Sequence, residues 1–152
     1  MLEFENKYWQ DGYNHIAGID EVGRGPLCGP VVASAVILPK NVRIDGINDS
    51  KKLTPKKREN LFNQIKTNAI SIGLGIVHED RIDEINILEA TKEAMRVAVN
   101  NLDFNPDILL VDGNISILLD ITQESIIKGD QKSQSIAAAS IVAKVTRDRI
   151  MK

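Results

Sequence analysis

Three acidic sites in this chain stand at the ends of apolar runs: Asp20-Glu21 after Ile16-Ala17-Gly18-Ile19, Asp112 after Ile108-Leu109-Leu110-Val111, and Asp130 after Ser125-Ile126-Ile127-Lys128-Gly129. Runs of this kind read as buried strands, and ligands bind at strand ends in an open α/β sheet because the strand is rigid and the loop leaving it is free to vary. Carboxylates gathered at one such edge repel one another unless they are protonated or bound to cations. The candidate ligands are all oxygens, with no histidine or cysteine among them, which selects a hard cation, Mg2+ or Mn2+. For one Asp behind one strand, a turn or a helix cap is the ordinary role. The recurrence of the placement sets a shared site beside that ordinary role as an equal reading.

The glycine-rich stretch Gly23-Arg24-Gly25-Pro26-Leu27-Cys28-Gly29-Pro30 follows the first carboxylates directly. It is not the dinucleotide fingerprint, because the third glycine comes one residue late and prolines stand where a helix should begin. Glycines here let the backbone approach a ligand closely, and Arg24 offers a donor fork suited to phosphate, although by itself the stretch reads more simply as a plain connection between two strands. Further along, Ser140 and Lys144, followed by Arg147 or Asp148, recur at helical spacing and form one polar stripe. A helix carrying that stripe begins just after Asp130, so the stripe is placed to flank the carboxylates and hold a phosphate backbone. His15 and His78 are isolated and read as structural or surface residues. Tyr8, Trp9 and Tyr13 read as packing at the sheet edge rather than stacking on bases, and Cys28 as filler of a small apolar space.

The elements that must position these residues are legible. Val31 to Leu38 is a second apolar strand, stopped by Pro39. Thr54-Pro55 supplies an N-cap and a first-turn proline for a helix over 54–67, with Leu61, Phe62 and Ile65 on its buried face. Lys56, Lys57 and Arg58 in its first turn oppose the helix dipole. Residues 69–77 suit a third strand, 79–102 a helix broken near Asn86, and 133–152 an alanine-rich helix without glycine or proline. A wholly apolar 108–111 implies a strand buried on both faces, and a weaker strand is expected over 125–128. Strands followed by helices, with an alternating early group, give an α/β fold with a mixed central β-sheet flanked by helices.

Composition bounds the answer further. The 152 residues, 43% hydrophobic and 26% charged, allow one domain of ordinary composition and exclude disordered and collagen-like classes. No run approaches the roughly 20 apolar residues of a membrane helix. The N-terminus has neither a basic start nor an apolar stretch, and the one cysteine cannot form an internal disulfide, so a cytoplasmic protein is expected, with no membrane partner. The net charge of −2 conceals segregation: residues 40–67 hold eight basic against three acidic side chains, and residues 128–152 six against two. Two basic zones in an acidic body suit local contact with an anion rather than a global polycation, while on charge alone solvated helix faces are the commoner role.

Taken together, these residues resemble ribonuclease HII, the bacterial type 2 ribonuclease H. The resemblance rests on Gly18-Ile19-Asp20-Glu21-Val22-Gly23-Arg24-Gly25-Pro26-Leu27 with Gly29-Pro30-Val31-Val32, on Asp49-Ser50-Lys51-Lys52-Leu53, and on Ile85-Asn86-Ile87 with Ala90-Thr91. It continues through Val111-Asp112-Gly113, Gly129-Asp130 and the run from Ile136 to Asp148, in collinear order over residues 8–150. It implies a ribonuclease H-like fold and endonucleolytic hydrolysis of the RNA strand of RNA–DNA hybrids and of single ribonucleotides embedded in duplex DNA. By the same resemblance Asp20, Glu21, Asp112 and Asp130 are catalytic and bind two divalent cations, leaving 5′-phosphate and 3′-hydroxyl ends. Gly23, Arg24 and Gly25 would contact the ribose 2′-hydroxyl, and Lys51, Asn86, Ser140 and Lys144 the nucleic-acid backbone. Residues 1–152 are then expected to be a single catalytic domain, acting as a monomer and lacking the family's C-terminal segment, which carries a tyrosine that stacks on the ribonucleotide sugar. Two readings stand beside this one: a non-catalytic nucleic-acid-binding fragment, and a different nuclease or resolvase on the same fold.

Overall fold

The sheet of this protein runs in the order β3-β2-β1-β4-β5, with β1 Ile16–Val22, β2 Val31–Ile37, β3 Ser71–Val77, β4 Ile108–Asp112 and β5 Thr122–Ile126. The computed structural model describes residues 1–23 and 29–152, and residues 49–51 by their backbone alone. β1, β2 and β3 pair antiparallel, whereas β1, β4 and β5 pair parallel. The mixed central sheet expected from the sequence is therefore present.

Helices cover both faces. On one side α4 (Ile87–Asn100) lies against Ala17, Ile19, Ala33, Ala35, Leu109 and Val111. On the other, α5 (Gln134–Ile150) crosses β1 and β2 and packs Ala137, Ala138, Ile141 and Val142 with Leu61, Phe62 and Ile65 of α2 (Pro55–Asn68). Small residues set the spacing between these layers. A Cβ at Gly18 would lie 2.1 Å from the Ser135 carbonyl carbon, and Cβ atoms at Gly73 and Gly75 would lie 2.0 and 1.9 Å from the carbonyl oxygens of Ala98 and Ala94. The helices therefore seat directly on β1 and β3.

Several boundaries match the sequence reading. Thr54 caps α2 by accepting the Lys57 amide, and Ser133 caps α5 by accepting that of Ile136. The helical segment after β3 is broken at Asn86, which adopts φ 74° between α3 (Glu79–Ile85) and α4 and caps the latter through Glu89 N–H.

Three features differ. β1 continues through Asp20 and Glu21 to Val22, because β2 pairs with it to that residue, so the first carboxylates lie within the strand rather than after it. The last strand is Thr122–Ile126 rather than 125–128; pairing with β4 sets its register, Asp112 opposite Ile126, and Ile127 is left exposed in the following turn. An N-terminal helix, α1 (Glu3–Gln10), was not expected from its acidic and aromatic composition. Its Phe4, Tyr8 and Trp9, with Tyr13, pack on Ile16, Ile108, Leu110, Ile126 and Ile136, so the aromatic residues do cover the β4–β5 side of the sheet. The Tyr8 hydroxyl donates to Glu124. Among the described residues no helix is long and apolar enough to cross a membrane.

Candidate metal centre

The parallel pairing of β1 with β4 sets Ile19 beside Val111, so the next residues, Asp20 within β1 and Asp112 at the end of β4, stand side by side. With Glu21 they form a group in which one carboxylate oxygen from each residue lies within 4.8 Å of the others. Asp20 is buried at 5% exposure, and one of its oxygens, Oδ1, accepts the Glu21 amide at 2.8 Å. Burial pushes the Asp20 carboxyl well above the usual carboxylate range, with the neighbouring charges of Glu21 and Asp112 adding to the shift.

Asp130 reaches the same edge by a different route. It lies in a 3-10 turn, Gly129–Gln131, between β5 and α5, and its backbone N–H donates to Asp112 Oδ1 at 3.3 Å. The turn is seated tightly, since a Cβ at Gly129 would fall 2.5 Å from Ile136 Cδ1 and 3.2 Å from Asp112 Oδ1. Asp130 is thus tethered to Asp112 through its backbone, and its carboxylate stands outside the three-residue group.

Three carboxylates this close, one of them buried, suit a hard divalent cation: they offer anionic oxygens alone, and a cation would relieve the repulsion that otherwise favours a proton on Asp20. Asp20, Glu21 and Asp112 would hold such an ion, with Asp130 at the rim.

The remaining candidates fall around this edge to different degrees. Gly23, at the end of β1, has φ 105°, where a side chain is disfavoured, and a Cβ there would lie 2.6 Å from the Pro30 carbonyl oxygen. Arg24, Gly25 and Cys28 lie outside the described residues, as does the side chain of Lys51. The 3-10 helix Ile47–Lys52, which contains Lys51, packs against α5 and the Asp130 turn, so this basic segment adjoins the carboxylates. Ser140 and Lys144 are half-buried on α5, and Lys144 pairs with Asp148 at 3.0 Å. Of the two alternatives for the stripe, Asp148 lies on it, whereas Arg147 turns inward, with Nε donating to the Pro30 carbonyl at 2.9 Å. Asn86 is exposed at the α3–α4 junction; α3 leaves the same end of the sheet as Asp20, because Val77 pairs with Val31. His78 is the exposed residue before α3, and His15 packs on Phe104.

Among the described residues, the buried polar side chains that sequence pattern does not reveal include Glu5 and Ser34. Glu5 of α1 is fully buried; its Oε2 accepts the Ser133 hydroxyl at 2.8 Å and the Ser135 amide at 2.9 Å, which binds α1 to the start of α5. Ser34 is fully buried in β2. For Glu5 a weak signal existed in an acidic residue among aromatics at helical spacing; for Ser34 only the hydroxyl inside a Val-Ala run.

A family model described as Ribonuclease HII matches residues 17–152. A protein named Ribonuclease HII from Acetivibrio thermocellus is 61% identical over 152 residues, covering 100% of this chain and 59% of its own length. One of the same name from Enterococcus faecalis is 59% identical over 153 residues, covering 99% of this chain and 59% of its own. The crystal structure of ribonuclease H2 from Pyrococcus horikoshii superposes with a TM-score of 0.81 at 34% identity, over 90% of this chain and 74% of that one. The chain spans about three-fifths of the length of the curated relatives it matches.

Proposed function

The chain belongs to the ribonuclease HII family, and on that premise we propose that it hydrolyses the RNA strand of RNA–DNA hybrids and cuts at single ribonucleotides embedded in duplex DNA. The observation that carries this reading is the group Asp20 and Glu21 of β1 with Asp112 of the adjacent parallel strand β4, one carboxylate oxygen from each lying within 4.8 Å of the others.

The residues divide the work. Asp20, Glu21 and Asp112, with Asp130 completing the set, would hold two divalent cations, Mg2+ or Mn2+. When bound, such ions activate a water and neutralise charge on the phosphate during in-line displacement. The sheet pre-positions the carboxylates: Asp20 is fixed by the Glu21 amide and Asp112 by the Asp130 amide, so little reorganisation is needed as the phosphate arrives. Gly23, Arg24 and Gly25 read the 2′-hydroxyl, the group that distinguishes RNA from DNA at one position. Lys51, Asn86, Ser140 and Lys144 contact the sugar-phosphate backbone around the cut. The products are 5′-phosphate and 3′-hydroxyl ends, the protein acts as a monomer, and its compartment is the cytoplasm.

The test is a labelled DNA duplex with one ribonucleotide, incubated with Mg2+ or Mn2+. The expected result is one cut on the 5′ side of that ribonucleotide, abolished by Asp112→Asn. Equal cutting of an all-DNA duplex selects a different nuclease. Binding without cutting, with cleavage restored in a C-terminally longer chain, selects a nucleic-acid-binding fragment.

A further inference from the structure

We infer that Ser34 is a positioning residue for Asp20, its hydroxyl held in reserve as a donor to the Asp20 carboxylate when that carboxylate binds a divalent cation. The inference rests on the metal-binding reading of the Asp20 group given above.

β2 reads Val-Val-Ala-Ser-Ala-Val-Ile and is buried throughout. Ser34 is its one polar side chain, at 0% exposure, and Ser34 Oγ has no hydrogen-bond partner among the described residues. A buried hydroxyl without a partner costs folding free energy, whereas alanine, which already flanks it at positions 33 and 35, would cost nothing of the kind. Its neighbours indicate the partner it awaits. The β1–β2 register sets Ser34 directly opposite Asp20. Opposed residues of an antiparallel pair project from the same face, with Cβ atoms about 4.5–5.5 Å apart. On its other side Ser34 faces Leu74, and along its own strand the same face carries Val32 and Val36. Asp20 is therefore the polar group that a turn of the hydroxyl meets across the strands.

The chemistry matches that geometry. A ligating carboxylate is oriented by hydrogen bonds to its oxygens, and such outer partners tune metal affinity. The Glu21 amide already holds Asp20 Oδ1 from the chain's own side. A donor from β2 would hold the same carboxylate from the other side and fix its plane toward the ion.

Mn2+ binding by the full chain, measured calorimetrically without nucleic acid, separates the outcomes. Ser34→Ala and Ser34→Cys are expected to bind Mn2+ about tenfold more weakly than the unsubstituted chain. The cysteine variant keeps the volume but offers only a weak donor, and it decides alone if the alanine variant fails to fold. Metal-free Ser34→Ala is expected to melt no lower than the parent. Unchanged affinity in Ser34→Ala overturns the role, and so does parental affinity in Ser34→Cys. If the parent binds Mn2+ no better than Asp20→Asn, the metal reading of the cluster itself falls, an outcome distinct from either variant's behaviour.

Discussion

Arg147 Nε donates to the Pro30 carbonyl oxygen at 2.9 Å, joining the last turns of α5 to the entry of β2. The guanidinium fills the space above two glycines: a Cβ at Gly23 would lie 2.9 Å from Nε, and one at Gly29 would lie 3.0 Å from Nη2. Arg147→Met is therefore expected to destabilise the protein by about 2 kcal/mol, the scale of a buried hydrogen bond from a charged donor, measured by urea unfolding. Because Gly23 then loses its seat, affinity for a ribonucleotide-containing duplex should fall further than affinity for Mn2+.

Asp20 makes the metal-free protein sensitive to pH. Its carboxyl is pushed up by burial and then by Glu21 and Asp112, so the folded chain holds that proton more tightly than the unfolded one. The stability this lends is fully present below the ordinary Asp range, near pH 4, and is lost as pH rises through the raised value. Thermal unfolding in chelator should show midpoints falling with pH, and Asp20→Asn should flatten that fall and melt above the parent at neutral pH. Added Mn2+ should reverse the order, since a ligand at a hundred times its Kd adds about 2.7 kcal/mol to the parent.

Close packing of α5 on β1 depends on the absence of a side chain at residue 18. Gly18→Ala would drive a methyl to 2.1 Å from the Ser135 carbonyl carbon, where only backbone movement gives relief. A loss of about 3 kcal/mol or more is expected in denaturant unfolding, with weaker Mn2+ binding because β1 and α5 flank the carboxylates together. Gly12→Ala, where a Cβ would meet nothing within 4 Å, is the contrast, strained only by its φ of 98°.

The first turn of α2 contains no acid, and its Lys56 and Lys57 are exposed, whereas Arg58 is occupied by the Leu53 carbonyl and Asp148. If the two lysines face phosphates, Lys56→Ala with Lys57→Ala should lower the salt slope of hybrid binding by up to about 2, near 0.9 for each contact. The same substitutions should raise stability by a few tenths of a kcal/mol, because they relieve a misfit with the helix dipole. Fluorescence anisotropy of a labelled hybrid across a salt series measures the slope; an unchanged slope makes this zone a solvated face.

Much of the fold was legible because local rules agreed with it. Thr54-Pro55 started α2, Asn86 broke the helical segment after β3, and the apolar run before Asp112 became a buried strand, each through chemistry contained within a few residues. Elsewhere strand pairing and docking overrode local pattern. β5 shifted toward its N-terminal side because register with β4 decides it, and α1 escaped notice because its helicity depends on docking Phe4, Tyr8 and Trp9 on the sheet.

The same division holds for the site. Residue order was enough to show which carboxylates follow apolar runs, and that their oxygens suit a hard cation. Only the tertiary structure decided that Asp20 and Asp112 stand side by side, that Asp130 is tethered to Asp112 through its backbone, that Arg147 turns inward while Asp148 faces out, and that Ser34 opposes Asp20. The physical reason is sequence distance: these relationships join residues brought together by strand pairing and helix packing, and no local periodicity specifies which strand lies beside which.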